Sequence, residues 1–131
     1  MGHVYQKVKI TARRTANVRM FVDTGATFSI IPPELAEAIG LGGLKKRYRV
    51  ALATGYVVTM RAGTAFFKLL GRLAPATVLV GKVDEPILGV ETLEALGLAV
   101  DPNSGKLRKT RAYAVRLGAI VRRQAPPAQP L

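Results

Sequence analysis

The sequence predicts a mainly β domain with one or two short helices, and three observations carry that prediction. Near the N-terminus, Val4, Val8 and Ile10 fall on one face while Lys7 and Lys9 fall on the other, the two-residue period of a half-buried strand. β-Branched and apolar runs then recur along the chain, separated by turns that contain Gly. Only Glu34-Leu-Ala-Glu-Ala-Ile39 and Val90-Glu-Thr-Leu-Glu-Ala-Leu96 have helix-forming composition, and each is stopped by a Gly, Gly40 and Gly97. At 131 residues the chain suits one domain with one core. That domain is expected over residues 1–123, with a Pro-rich, extended or disordered tail over 124–131.

Taken in order, Val4 to Ile10 is the first strand and Thr11 to Thr15 a polar, basic turn. Ala16 to Val22 alternates again, Val18, Met20 and Val22 against Asn17, Arg19 and Phe21, so a hairpin leads into Asp23. A short apolar stretch, Phe28 to Ile31, precedes Pro32-Pro33, which opens the first helix with Glu34 in its first turn. Leu41 to Arg47 reads as a basic loop. Tyr48 to Ala53 and Tyr56 to Ala62 are apolar strands joined at Thr54-Gly55, a tight hairpin. Ala65 to Leu70 and Ala76 to Val80 read as two further strands with a turn at Gly71-Arg72. After Ile87-Leu88-Gly89 comes the second helix, then a strand at Leu98 to Val100, a turn over Asp101-Pro102-Asn103-Ser104-Gly105, and a return strand from Lys106. Ala112 to Leu117 and Ala119 to Val121 are candidate strands beyond it.

Composition removes several classes of function. No apolar run approaches the roughly 20 residues that span a bilayer, and the N-terminus lacks a basic segment followed by an apolar one, so neither a membrane span nor a signal peptide is expected. A cytoplasmic setting is the default expectation. The absence of Cys excludes disulfides and thiolate chemistry, and a single residue, His3, rules out most His-based triads and zinc sites. The net charge is +12, from 20 Lys and Arg against 8 Asp and Glu. The densest clusters are Lys45-Lys46-Arg47 with Arg49, and Lys106, Arg108, Lys109 and Arg111. Charge of this size suits nucleic acid or another anionic surface, but it is spread along the chain and also reads as a solvated basic surface.

The chemistry points to Asp23. An apolar run delivers this acid to a turn, Asp23-Thr24-Gly25-Ala26, after which the chain becomes apolar again. An acid at the mouth of an apolar run is costly to bury unless something requires it there. The same residues also suit a simple Asx turn, with the carboxylate capping backbone N–H groups. A second pattern bears on the choice. Glu34 to Leu41 aligns without gaps on Glu91 to Leu98 with five of eight positions identical, as expected either of two related half-units or of two short helices of ordinary composition.

Phe21-Val22-Asp23-Thr24-Gly25-Ala26, Ser29-Ile30-Ile31, an apolar hairpin, and Ile87-Leu88-Gly89 opening a helix together resemble the retropepsin-like aspartic proteases. These are the single-lobe relatives of pepsin and include the retroviral proteases. The resemblance runs from about Val18 to Lys106. It implies a closed, mainly β acid-protease barrel whose active site lies at a homodimer interface. It also implies an aspartic endopeptidase in which Asp23, Thr24 and Gly25 are catalytic, with Asp23 paired across the dimer axis and Thr24 bracing both turns. Ala26, the flap tip Ala53-Thr54-Gly55-Tyr56 with Val57, and Ile87 and Leu88 become the expected contacts to an extended peptide substrate. The flap tip departs from the viral pattern in having one Gly rather than several. No cofactor and no metal are implied, and no membrane partner. Asp84 precedes Glu-Pro and Asp101 precedes Pro, so neither stands in a second Asp-Thr-Gly turn, and one chain supplies half of a catalytic pair. Two other functions fit parts of the sequence: a non-catalytic binding module with the same fold, and a basic nucleic-acid-associated protein. The second has no recognised nucleic-acid motif and few aromatics for stacking.

Overall fold

The computed structural model describes residues 4–43, 46–52 and 54–110. The mainly β expectation holds, with two short helices. β1 (Tyr5–Thr11) and β2 (Thr15–Val22) form an antiparallel hairpin from Tyr5↔Phe21 to Thr11↔Thr15. β3 (Ser29–Ile31) and α1 (Pro33–Ala38) follow. β4 (Lys46–Ala51), β5 (Val57–Leu69) and β6 (Arg72–Val80) make an antiparallel run, succeeded by β7 (Ile87–Leu88) and α2 (Val90–Ala95). β8 (Leu98–Val100) and β9 (Leu107–Lys109) pair as a separate two-stranded sheet. The first seven strands form one sheet in the order β1-β2-β7-β3-β6-β5-β4. β1 also pairs with β5 through Lys9↔Lys68, Ile10↔Phe67 and Thr11↔Phe66, so six strands close into a ring and β4 hangs from β5.

Several expected boundaries are corrected: β4 starts at Lys46, inside the expected basic loop, β6 starts at Arg72 rather than Ala76, and the largest change is in β5. Tyr56 to Ala62 and Ala65 to Leu70 are not two strands but one, the 13-residue β5. Gly63 makes no turn; it stays in the ladder opposite Val78. What changes there is the side that is buried. Met60 and Ala62 are buried before it, and Ala65, Phe67 and Leu69, of opposite parity, after it. The strand thus serves two apolar clusters, one on each of its faces. The turn after β5 also lies one residue earlier than the sequence suggests, on Leu70 (φ 50) and Gly71 (φ 77). Two consecutive positive φ values match the right-handed twist of a two-residue hairpin, and Leu70 accepts a conformation that ordinarily favours Gly or Asn. The candidate strands at 112–117 and 119–121, and the tail, lie outside the described residues.

The larger core fills the ring with Val8, Ile10, Met20, Phe67, Val78 and Leu88, closed off by Ile39 of the first helical turn region and Leu93 and Leu96 of the second. The smaller one comprises Ile30, Met60, Ala62 and Leu79, with Phe28, Tyr48, Val50, Val58, Val83 and Ile87 partly buried around it.

The helical echo in the sequence has a counterpart in the topology. Each half contributes a hairpin, a short strand and a helix: β1–β2, β3 and α1, then β5–β6, β7 and α2. The short strands are exchanged, since β7 runs parallel to β2 (Phe21↔Ile87, Val22↔Leu88) and β3 runs parallel to β6 (Ser29↔Val78 to Ile31↔Val80). They meet antiparallel at Ile30↔Ile87. Each half also ends its helix in the same way. The carbonyls of a last helical turn have no intrahelical partner. Arg14, in the β1–β2 turn, donates from Nε to the Ala38 carbonyl (2.8 Å) and from a terminal nitrogen to that of Glu37 (3.0 Å). Arg72, at the β5–β6 turn, donates to the carbonyls of Leu96 (3.2 Å) and Gly97 (2.7 Å). Gly40 (φ 66) and Gly97 (φ 65) take the left-handed position that follows each helix.

Candidate active site

β2 ends on buried Val22, and Asp23 is the first residue beyond it. Asp23 is partly buried, while Thr24 and Gly25 are exposed. The turn is tied down mostly by backbone. The Asp23 N–H donates to the Leu88 carbonyl (3.0 Å), and the Ala26 N–H donates back to the Asp23 carbonyl (3.1 Å). The Gly25 N–H donates to Asp23 Oδ1 (2.9 Å), so the Asx geometry is present and fixes one carboxylate oxygen. Oδ2 has no hydrogen-bond partner among the described residues.

The loop after the turn seats the second helix. The N–H groups at a helix start lack intrahelical acceptors, and α2 has no side-chain cap. Its Val90 and Glu91 N–H groups donate instead to the Ala26 and Thr27 carbonyls, both at 2.8 Å. Gly89 makes this approach possible, for a Cβ there would lie 2.5 Å from the carbonyl carbon and oxygen of Phe28 and 3.0 Å from the Ala26 oxygen. Beneath the contact, fully buried Ser29 and Thr92 share a 2.6 Å hydroxyl–hydroxyl bond, and Ser29 Oγ accepts the Gly89 N–H at 3.0 Å. Removing one member of such a network strands the other. Ser29→Ala is therefore expected to lower stability by about 1–3 kcal/mol, measured by chemical denaturation, whereas an isolated surface hydroxyl would leave the midpoint unmoved.

The β4–β5 hairpin stands over the smaller apolar cluster. Val50 pairs with Val58 and Tyr48 with Met60, and these residues pack on the cluster that includes Phe28 and Ile87. The Phe28 and Tyr48 rings meet at 5.2 Å between centroids. The hairpin tip is closed by the Leu52 N–H donating to the Tyr56 carbonyl (2.8 Å) and the Gly55 N–H donating to the Leu52 carbonyl (2.9 Å), with Gly55 at φ 94. Leu52, Thr54, Gly55, Tyr56 and Val57 are exposed, Tyr56 to 74%. Ala53 lies outside the described residues.

Among the residues expected to contact substrate, the structure distinguishes side chains from backbone. Leu88 is corrected: its side chain is fully buried in the larger core, and it reaches the Asp23 turn only through its carbonyl. Ile87 belongs to the smaller cluster with Phe28. Val57 is 52% exposed and stands on the other side of β5 from Val58, the hairpin residue that packs on that cluster. Phe28, Ile30, Tyr48, Val50 and Val58 were not among the expected contacts. The alternation of Tyr48 with Val50, and of Val58 with Met60, was the available signal for the inward face of that hairpin. Loop 81–86 is held beside the turn by the Phe21 N–H donating to the Pro86 carbonyl (2.9 Å) and by the Tyr5 hydroxyl donating to Glu85 Oε2 (3.1 Å). That bond to Glu85 is the main cause raising the Tyr5 phenol above its ordinary range.

Among the described residues, no group of three or more His, Cys, Asp or Glu side chains is placed to hold a metal ion, and no helix is long and apolar enough to cross a membrane. No curated protein matches the chain. The family model described as gag-polyprotein putative aspartyl protease matches residues 8–95, from within β1 to the end of α2 and through the whole Asp23 site, and the chain belongs to that family.

Proposed function

We propose that the protein is an aspartic endopeptidase that works as a homodimer, with the Asp23 carboxyls of two copies forming the catalytic pair. The observation that carries this reading is the Asp23 turn itself: held rigidly from behind by Leu88, Gly89 and α2, yet exposed at Thr24 and Gly25. A turn braced so fully and left open on its far side suits a self-complementary contact about a two-fold axis. Two carboxyls at hydrogen-bonding distance do not both ionise readily, so the pair holds one shared proton. The ionised member takes a proton from a bound water as that water attacks the scissile carbonyl carbon. The protonated member donates to the carbonyl oxygen. The gem-diol collapses as the carboxyl that took the water's proton passes it to the amide nitrogen, the other carboxylate takes back a diol hydroxyl proton and the C–N bond breaks, with no covalent bond to the enzyme. The β4–β5 hairpin closes over an extended peptide and excludes water. Phe28, Val50, Val58 and Ile87 offer apolar surface for alternate side chains of that strand-like substrate.

The reading is tested on a diverse peptide pool with the full chain. Cleavage products are expected with an apolar preference flanking the cut, together with inhibition by a statine-type peptide, whose hydroxyl mimics the diol. A chain that remains monomeric by sedimentation at high concentration and cleaves nothing would instead be a binding module.

A further inference from the structure

The outward face of the ring opposite the core carries a charge arrangement that proteolysis does not use. On β1, Lys7 and Lys9 point away from buried Val8 and Ile10. Lys7 lies directly opposite Arg19 of β2, and Lys9 directly opposite Lys68 of β5. Like charges placed across from one another in a sheet destabilise it. None of the four strands concerned, β1, β2, β5 and β6, contains an acidic residue to offset them. The four cations and Asn17 line one groove of about 650 Å³, walled on one side by Leu70 and Gly71 of the β5–β6 turn. Leu70 projects there in its left-handed conformation and is 43% exposed. Phe66, 48% exposed, shares the outward face of β5 with Lys68 and sits opposite Thr11. Arg19 lies over the Tyr5 ring at 3.9 Å from its centroid, which leaves Lys7, Lys9 and Lys68 as the cations without an aromatic seat. Glu85 reaches this end of the face only at the Tyr5 hydroxyl.

We propose that this groove is a binding site for single-stranded nucleic acid, seated on Lys7, Lys9, Arg19 and Lys68 with Phe66 available as a stacking face. The cations stand about 5 Å apart across strands and about 7 Å apart along β1, a regular series that a backbone with one charge per unit can follow. An extended acidic peptide presents successive side chains to opposite sides and would leave half its charges unused. Four cations lining one groove on the outward face, with a nearby ring, are the elements of an electrostatic channel with a base platform. The site is separate from the Asp23 turn and does not rest on the proteolytic reading.

The test is fluorescence anisotropy with a labelled uridine-rich RNA oligonucleotide and the full chain, across a salt series. Wild type is expected to bind with affinity falling steeply as salt rises. The triple variant Lys7→Gln/Lys9→Gln/Lys68→Gln should weaken binding at least about tenfold and reduce the slope of log affinity against log salt by about 2, the share of three phosphate contacts on a single strand. A control triple, Lys82→Gln/Arg108→Gln/Lys109→Gln, removes the same charge elsewhere and should change binding little. The groove variant should also melt no lower than wild type, because it relieves like-charge pairs. Equal weakening by both triples would overturn the site in favour of diffuse charge. Absence of salt-sensitive RNA binding, or stronger retention on phosphatidylserine vesicles or poly-glutamate than on RNA, would overturn the ligand class.

Discussion

On the aspartic-protease reading, Asp23→Asn is expected to leave the fold intact and to lower peptide hydrolysis by about 10³-fold or more. The amide keeps the shape of the side chain and its Oδ1 can still accept the Gly25 N–H, so the turn geometry survives. What is lost is the ability to hold and hand over a proton. The sharper form of the experiment mixes the two proteins. If each active site takes one Asp23 from each copy, a mixed dimer is dead. With equal amounts of wild type and variant, only about a quarter of dimers retain two acids. Activity should then follow the square of the wild-type fraction rather than the fraction itself. A linear dependence would show that one chain is catalytically sufficient and would remove the shared pair from the mechanism. On the same reading, specific activity is expected to rise with enzyme concentration until dimers saturate.

Gly89→Ala is expected to be strongly damaging. The backbone of Gly89, φ −95 and ψ 175, is open to any residue, so the obstacle is purely steric. The added carbon would meet the Phe28 carbonyl carbon and oxygen at 2.5 Å, and these are backbone atoms that cannot rotate aside. Either α2 withdraws from the Asp23 loop or the loop shifts. We expect a loss of about 3 kcal/mol, the upper end for overpacking, read as a fall in denaturation midpoint. Under conditions where the variant is still folded, kcat should fall by about 10²-fold, as expected from displacing a catalytic group by about 1 Å. A Cβ at Gly25, by contrast, would meet only Asp23 Oδ1 at 3.2 Å. A Gly89→Ala protein with wild-type stability and turnover would mean that the contact between α2 and the turn is not what positions Asp23.

Much of this was legible in the sequence where one physical signal dominated. The β1–β2 hairpin followed from strict alternation up to Val22, and both helices from Ala, Leu and Glu ahead of Gly40 and Gly97. The Asp23 turn and the Ile87-Leu88-Gly89 segment were legible as a motif. The motif did not reveal that Leu88 serves through its carbonyl while its side chain fills the core, because pairing to a distant strand is not a local property. β5 was misread as two strands because its buried parity changes at Gly63, and alternation assumes that one face stays inside. The arginine clamps were hidden for a similar reason. Arg14 and Arg72 read as ordinary turn cations until the helix ends they serve are brought beside them.

The exchange of short strands between the halves has a consequence for the order of folding. The two hairpins rest on local pairings, but β2 acquires its parallel neighbour only when Phe21 meets Ile87, and β3 only when Ser29 meets Val78. Such high contact order slows the final closure. It also means that neither half is a folding unit by itself, since each must lend a strand to the other. During synthesis the Asp23 turn emerges long before Leu88, Gly89 and α2, the segments that brace it. The acid is made early and is held in place late, so the nascent chain carries the residue before it carries the site.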